Sequence, residues 1–455
     1  MTPGRRRSDP ARRAAYDAVH AVTARDAYAN LVLPHVLRQA RLTGRDAAFA
    51  TELTYGTLRG LGVYDAVVGA CLDRPIERLD ADLLDVLRLG AHQLLASRVP
   101  DHAAVSATVD LGHDVVGVRR SGLVNAVLRR VATDDRDGWM DRLAPSSDSD
   151  PLGHLAFVHS HPRWVAERFY DALDGDLAET ESALRADNEP AKVTLVARPG
   201  RSTRDELVAA GATPTRWSPY AATLAAGSPQ DVAAVHEGRA GVQDEGSQLV
   251  AEALVDAPVD GVECRWLDLC AGPGGKAALL AAIAAGRNVH VLAAERQVHR
   301  AGLVAQALGF WLGSHALVVA ADGRAPAWRP GAFDRVLADV PCTGLGALRR
   351  RPEARWRRSP TDVEELVPLQ RELLGAALAA TRPGGVVAYV TCSPVLAETS
   401  GVVDTVLADR TDVERLDARS VLPAMPGLGP GPDVQMWPHR HGTDAMFLAL
   451  LRRNR

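Results

Sequence analysis

The sequence predicts a multidomain protein ending in a Rossmann-like α/β domain. Three observations lead there. From about residue 262, apolar strand-like runs alternate with amphipathic helical stretches. Each of the first five runs closes on a polar or reactive residue. The first 140 residues, by contrast, carry helical periodicity alone.

In the C-terminal part the candidate strands are 262–269, 289–294, 316–320, 335–338, 386–390 and 445–451. Helical patterns at 276–285, 298–308, 362–380 and 396–407 follow four of them. Apolar strands separated by helices predict a parallel sheet buried on both faces. Upstream, residues 11–39, 45–70, 81–97 and 103–130 place apolar side chains at helical spacing with short breaks, which predicts an all-α bundle. Residues 141–153 are polar and turn-rich and read as a linker. Between them and 260 the pattern is mixed. A helix opens at His161, a strand covers 191–197, a helix covers 205–210, and the stretch from Gly241 leads into another helix. The expected domains are therefore 1–140, a linker 141–153, a small α+β module 154–260, and an α/β domain 261–455.

A chain of 455 residues with 47% hydrophobic and 24% charged residues has the composition of a soluble globular protein. No apolar run is long enough to cross a bilayer, and the first residues lack the apolar core of a signal peptide. Five cysteines without C-x-x-C spacing predict free thiols in a reducing, cytoplasmic setting. The net charge of −4 does not advertise a nucleic-acid partner, but its distribution does. Arg5, Arg6, Arg7, Arg12 and Arg13 form one basic arm. Arg349, Arg350, Arg351, Arg355, Arg357 and Arg358, with Trp356 among them, form a cluster close to Cys342 and are the candidate RNA contacts. Trp328, Trp356 and Trp437 could stack on bases, with loop packing as the default. The histidines show no metal-ligand spacing, and no metal is expected.

In an open α/β sheet, ligands bind beyond the carboxyl ends of the strands. The successive strand ends deliver the turn Cys270–Lys276, then Glu295, Asp322, Asp339 with Cys342, and finally Cys392. The turn contains Cys270, Ala271, Gly272, Pro273, Gly274, Gly275 and Lys276. It is no P-loop, since Cys270 and Ala277 stand where that motif needs a glycine and a hydroxyl. It fits a loose nucleotide-binding form, with Glu295 placed to take ribose hydroxyls, so NAD and S-adenosylmethionine both satisfy it.

The cysteines separate those readings. A hydride-transfer enzyme has no use for thiols at two strand ends, whereas methyl transfer to a pyrimidine carbon does. C5 of cytosine is a poor nucleophile until a thiolate adds to C6 and turns the ring into an enamine. Asp339 is placed to support that addition near N3, either protonated or by hydrogen bonding. A second thiol could help remove the C5 proton or release the adduct. Cys71 and Cys264 are expected as small buried hydrophobes, and Cys270 as an unreactive thiol beside the cofactor.

The segments Asp268–Lys276, Asp339–Gly344, Thr391–Ser393 and Gly442–Leu448 resemble the RsmB/Sun family of bacterial 16S rRNA cytosine-5 methyltransferases. Gly241–Gln248 is similar to the motif that precedes that family's catalytic core. The stretches 49–59 and 125–129 resemble its NusB-like RNA-binding domain. The resemblance implies an all-α NusB-like N-terminal bundle, a small RRM-like connecting module and a Rossmann-like methyltransferase domain. It implies Cys392 as nucleophile and Cys342 as the thiol that releases the adduct. It also implies S-adenosylmethionine held by Cys270–Lys276, Glu295, Asp322 and Asp339, and rRNA as partner; a monomer is expected, though the sequence does not reveal the oligomeric state. Two positions depart from the family pattern: Glu295, where Asp is usual, and Glu398-Thr399, where Glu-Asn is more common. The same chemistry on tRNA or another RNA, a NAD-dependent oxidoreductase, which the paired cysteines disfavour, and an RNA-binding assembly or transcription factor with a silent methyltransferase domain remain alternatives.

Overall fold

The computed structural model describes residues 8–454, so Arg5, Arg6 and Arg7 of the basic arm lie outside the described residues. The chain forms two compact units. One contains the residues up to Glu189 together with Leu348–Arg357; the other contains Pro190–Ala347 and the chain from Arg358 onward.

The first unit is helical. Its leading helices are Pro10–Arg25, Ala29–Gln39, Gly44–Arg59, Leu61–Ala70, Ala81–Ala96, Asp101–Val115 and Val118–Val131. Asp9 caps the first by accepting from the Arg12 amide, and Pro10 supplies the fixed φ that suits a first helical turn. That helix ends where Asp26 turns left-handed at φ 53°. Leu53, Leu58, Val86, Leu87 and Leu128 are fully buried in the core, each worth about 2 kcal/mol of transfer free energy.

The expected linker at 141–153 does not divide the chain. Its two ends belong to helices Arg136–Leu143 and Pro151–Val158, and only 144–150 form a turn between them, inside the helical unit. Its polar residues act as helix caps: the Asp150 carboxylate accepts from the Gly153 amide. Helices Arg163–Ala172 and Leu177–Ala186 also belong to this unit, so the small α+β module begins near residue 190 and not 154.

The segment Leu348–Arg357 completes the same unit. Glu353 accepts from the Ala29 amide at the start of one helix (3.2 Å). Arg357 donates to the carbonyls of Val22 (2.7 Å), Asp26 (3.1 Å) and Ala27 at the end of the preceding one. An anion at a helix start and a cation at a helix end satisfy the backbone groups each terminus leaves unpaired. Arg355 is fully buried and donates to the Ser160 carbonyl (3.1 Å), the Asn188 side chain (2.8 Å) and the Asp187 carbonyl (3.2 Å).

The second unit holds two sheets. In the small antiparallel sheet, β1 (Val193–Ala197), β2 (Ala212–Pro214), β3 (Ala221–Leu224) and β4 (Ala240–Val242) lie in the order β2-β3-β1-β4. The large sheet contains β5 (Arg265–Asp268), β6 (His290–Glu295), β7 (Ala316–Ala320), β8 (Phe333–Asp339), β9 (Thr381–Thr391), β10 (Val413–Leu416), β11 (Val434–Gln435) and β12 (Phe447–Arg453). Its order is β10-β12-β9-β8-β5-β6-β7, with β11 added beside β12.

Strands β5 to β9 pair in parallel, whereas β12 runs antiparallel to β9 and β10. The all-parallel sheet expected from the sequence is thus corrected at its C-terminal edge. The crossover helix Ser400–Leu407 leads from β9 into β10, and β12 then enters between those two strands, antiparallel to both. Alternate residues of the central strands feed two cores. Trp266, Leu337 and Val390 meet Leu254 and Leu279 on one face. Leu267, Val336 and Tyr389 meet Leu374 and Val402 on the other. The result is a three-layer α/β/α domain.

Arg355→Ala is expected to destabilise the helical unit by about 3 kcal/mol, because buried acceptors lose a charged donor. Urea unfolding followed by far-UV circular dichroism measures this. An exposed arginine would cost no more than about 0.5 kcal/mol.

Candidate active site

β5 is flanked by β6 and β8, so the sheet reverses its winding between β5 and β8, which opens a crevice at their carboxyl ends. β8 and β9 are adjacent and parallel, with Asp339 opposite Val390. Cys342 lies three residues beyond Asp339, and Cys392 lies two beyond Val390. The two sulfurs are 3.5 Å apart as free thiols, both partly exposed.

The Cys342 loop is stitched to its neighbours through backbone. The Gly346 amide donates to the Cys392 carbonyl (2.9 Å), and the Ala445 amide donates to the Gly346 carbonyl (2.8 Å). A Cβ on Gly346 would lie 2.1 Å from the Ala445 oxygen and 2.9 Å from the Cys392 carbonyl carbon. Arg358 braces the same loop, donating to the Thr343 carbonyl (3.1 Å) and the Asp362 carboxylate (2.8 Å). Glu398 binds the residues that follow each cysteine, Thr343 and Ser393. Sequence reasoning missed both Gly346 and Glu398 as parts of the site. The departure at Glu398-Thr399 was the only signal.

The glycine turn runs from β5 into helix Gly275–Gly286, whose alanine-rich sequence favours helix at every position between its terminal glycines. Gly272 and Gly274 are fixed by close approach. A Cβ at Gly272 would strike the Glu295 carboxylate at 2.1 Å, and one at Gly274 (φ 113°) would meet Ala307 at 2.6 Å. Lys276 reaches across to Asp339, Nζ to Oδ2 2.7 Å. Burial works against the Lys276 charge, but the Asp339 carboxylate outweighs it and holds the ammonium above its ordinary pKa.

Three buried oxygens border this turn: both carboxylate oxygens of Asp268, which the Cys270 amide approaches without completing a hydrogen bond, and the side-chain oxygen of Gln243, which has no partner. Burial pushes the Asp268 carboxyl up to about 7; the Asp339 charge adds to this and Lys276 opposes it. An anion and an amide oxygen left unpaired beside a glycine turn suit a cationic ligand rich in N–H and O–H donors. Glu295 accepts from the Gln297 amide (2.9 Å) and pairs with Arg300 (3.6 Å), which also donates to the Gly272 carbonyl (2.6 Å). Asp322, just past β7, is chelated by Arg324, which draws its carboxyl down to about 2.

The thiols differ in electrostatics. Cys342 lies well above the ordinary thiol range, through its hydrogen bond to Cys392, its burial, and the charges of Glu398 and Asp339. Cys392 lies below that range, because it accepts from Cys342 and faces Lys276, against burial and the charges of Asp339 and Asp444. Burial pushes the Cys270 thiol far up, as suits an unreactive group.

Some expectations need correction. Arg355 and Arg357 do not belong to a phosphate-gripping face, since the first is buried and the second is spent on helix carbonyls. Arg358 is committed to the Cys342 loop. Cys264 is exposed, because it precedes β5 in place of lying within it. Trp437 is buried, and Trp356 packs on the helical core with its indole N–H on the Leu58 carbonyl, so neither is a base platform.

Residues 253–452 match the family described as 16S rRNA methyltransferase RsmB/F, and residues 9–133 match the NusB family. A Mycobacterium tuberculosis protein named only as a methyltransferase is 57% identical over 453 residues, covering 99% of this chain and 98% of its own. The ribosomal RNA small subunit methyltransferase B of Xylella fastidiosa is 35% identical over 413 residues, covering 90% and 92%. That of Pseudomonas syringae pv. tomato is 32% identical over 452 residues, covering 97% and 96%. Among solved structures, PH0851 superposes with a TM-score of 0.80 at 21% identity over 98% of both chains. NSun6 from Pyrococcus horikoshii, solved with SFG, gives 0.54 at 18% identity over 65% of this chain and 98% of its own.

Gly346→Ala is expected to cost about 1–3 kcal/mol, since the atoms its Cβ meets are backbone and cannot turn aside. A lowered urea midpoint at unchanged slope checks it. An unaltered midpoint would show the loop to be slack.

Proposed function

Because the chain belongs to the RsmB/F family of 16S rRNA methyltransferases, S-adenosylmethionine-dependent enzymes, we propose that it methylates C5 of a cytosine in small-subunit rRNA through a covalent adduct on Cys392. The observation that carries this reading is the pair of free thiols 3.5 Å apart at adjacent strand ends. Cys392 is the thiol whose surroundings favour the anion, so it adds to C6 of the base. S-adenosylmethionine supplies the electrophilic methyl group that C5 then attacks. C5 then loses its proton as the C6–S bond breaks and Cys392 is released as thiolate; Cys342 stands beside the leaving sulfur and assists this elimination.

Asp339 works as an ion-paired carboxylate, with the proton of the pair on Lys276. It positions the base by accepting from the exocyclic amino group beside N3, and Lys276 is the acid of the pair. The turn Cys270–Lys276 would hold the cofactor with Glu295 at the ribose and Asp322 near the adenine. The unpartnered Asp268 and Gln243 oxygens would receive its donors. The target base must leave its stack to reach the thiol. Arg349, Arg350 and Arg351 are the proposed RNA contacts, from their charge in the basic run that follows Cys342. Thiols this close stay reduced only in a reducing compartment, which supports a cytoplasmic enzyme. No helix among the described residues is long and apolar enough to cross a membrane.

The Cys342→Ala variant, incubated with S-adenosylmethionine and small-subunit rRNA, should give a slow, protease-sensitive band on a denaturing gel. Cys392→Ala should give neither band nor methylation. A Cys342→Ala variant that turns over without trapping RNA would remove Cys342 from adduct release.

Cofactor binding should also depend on pH. Asp268 must ionise to meet a cationic ligand, and its free-state pKa is about 7. Affinity should therefore hold above pH 7 and weaken by up to about tenfold per unit below it, with proton release on binding. Calorimetric titration with S-adenosylmethionine between pH 6 and 8 reads this directly; an unchanging affinity would remove Asp268 from the site.

A further inference from the structure

We propose that Glu398 decides which of the two thiols is the nucleophile, by clamping both cysteine turns and holding a negative charge on the Cys342 side of the pair. This rests on the reading of Cys392 and Cys342 as the reacting thiols. Glu398 sits in the short turn Leu396–Glu398 after β9 and is fully buried. One carboxylate oxygen accepts from the Thr343 amide (2.8 Å) and from Gln370 Nε2 (3.0 Å). The other accepts from the hydroxyls of Thr343 (2.5 Å) and Ser393 (2.6 Å). Thr343 follows Cys342 and Ser393 follows Cys392, so a single side chain fixes the residue after each thiol. Gln370 also donates to the Pro341 carbonyl (2.9 Å), and the Tyr389 hydroxyl donates to the carbonyl of Glu398 itself (2.7 Å).

The four donors to the carboxylate are neutral groups, which stabilise its charge without cancelling it. The charge has a consequence for the sulfurs. Geometry alone lets either thiol donate to the other. The groups that act on the pair are Lys276, Asp339, Asp444, Glu398 and Tyr389. Asp339 disfavours an anion on both sulfurs and cannot choose between them. Lys276 favours one on Cys392, Asp444 opposes it there, and Glu398 opposes one on Cys342. Glu398 thus keeps the proton on Cys342, which donates it toward Cys392. It touches neither base nor cofactor in this scheme and is a positioning residue.

The test uses the whole protein with iodoacetamide, without RNA or cofactor, and peptide mass spectrometry to follow each cysteine. Cys392 should be alkylated before Cys342. Glu398→Gln keeps the shape and removes the charge, and should narrow the preference about tenfold, the equivalent of one pKa unit. Ser393→Ala removes one of the four bonds to the carboxylate, along with the hydroxyl's contacts to Thr343 and the Val395 amide, but keeps the charge, and should leave the order intact. Cys342 reacting first in the unaltered protein overturns the proposal however the variants fold. An unchanged preference in Glu398→Gln also overturns it, as does an equal loss in Ser393→Ala, which would assign the effect to packing. Since no RNA is present, a wrong rRNA assignment would not disturb the result.

Discussion

The parallel pairing of β8 with β9 is the constraint on which the site depends. Asp339 lies opposite Val390, and the chain then needs three residues on one strand and two on the other to bring two sulfurs to 3.5 Å. A slip of one residue would turn every side chain of a strand to the opposite face, and both faces of this sheet are packed. Burial on both sides therefore fixes the register, and the register fixes the thiols. The Gly346 stitch, the Glu398 carboxylate and the Arg358 brace hold a geometry that the sheet has already chosen.

Charge around the thiols is sparse and uneven. Asp268, Asp339 and Glu295 converge on the crevice, and Lys276 is the cation that meets Asp339. The chain has only two lysines against fifty arginines, so a lysine here is informative. An ammonium is a compact point charge that one carboxylate can hold in a tight space, whereas a guanidinium presents a planar fork needing several acceptors. The Asp268 carboxyl, left without a partner, is what a cationic ligand would complete.

The arginines of 349–358 show how far composition can mislead. As a string they look like a nucleic-acid contact. In the fold, Arg355 fills a buried polar gap and Arg357 closes the end of the first helix, while Glu353 opens the second. Guanidinium groups suit helix ends for the same reason they suit phosphates: both offer converging oxygen acceptors. Nothing in the local sequence distinguishes the two uses.

The sequence by itself determined the helical N-terminal part, the alternating strands and helices, the glycine turn and the five reactive strand ends. These are local properties, because periodicity and the chemistry of a turn are written in consecutive residues. The bounds of helix 298–308 and strand 316–320 agree with the structure for this reason. Strands β2, β3 and β4, at three or four residues each, were too short to show alternation, and half-exposed β10 carries charges that disguise it. Tertiary structure alone decided the reversed β12, the extent of the helical unit, the spent arginines, and the difference between the thiols. Each of these depends on groups far apart in the chain: Glu353 with Ala29, Gly346 with Cys392 and Ala445, Glu398 with Thr343. A one-dimensional pattern carries no distance between such groups, so only packing could settle which partner each would find.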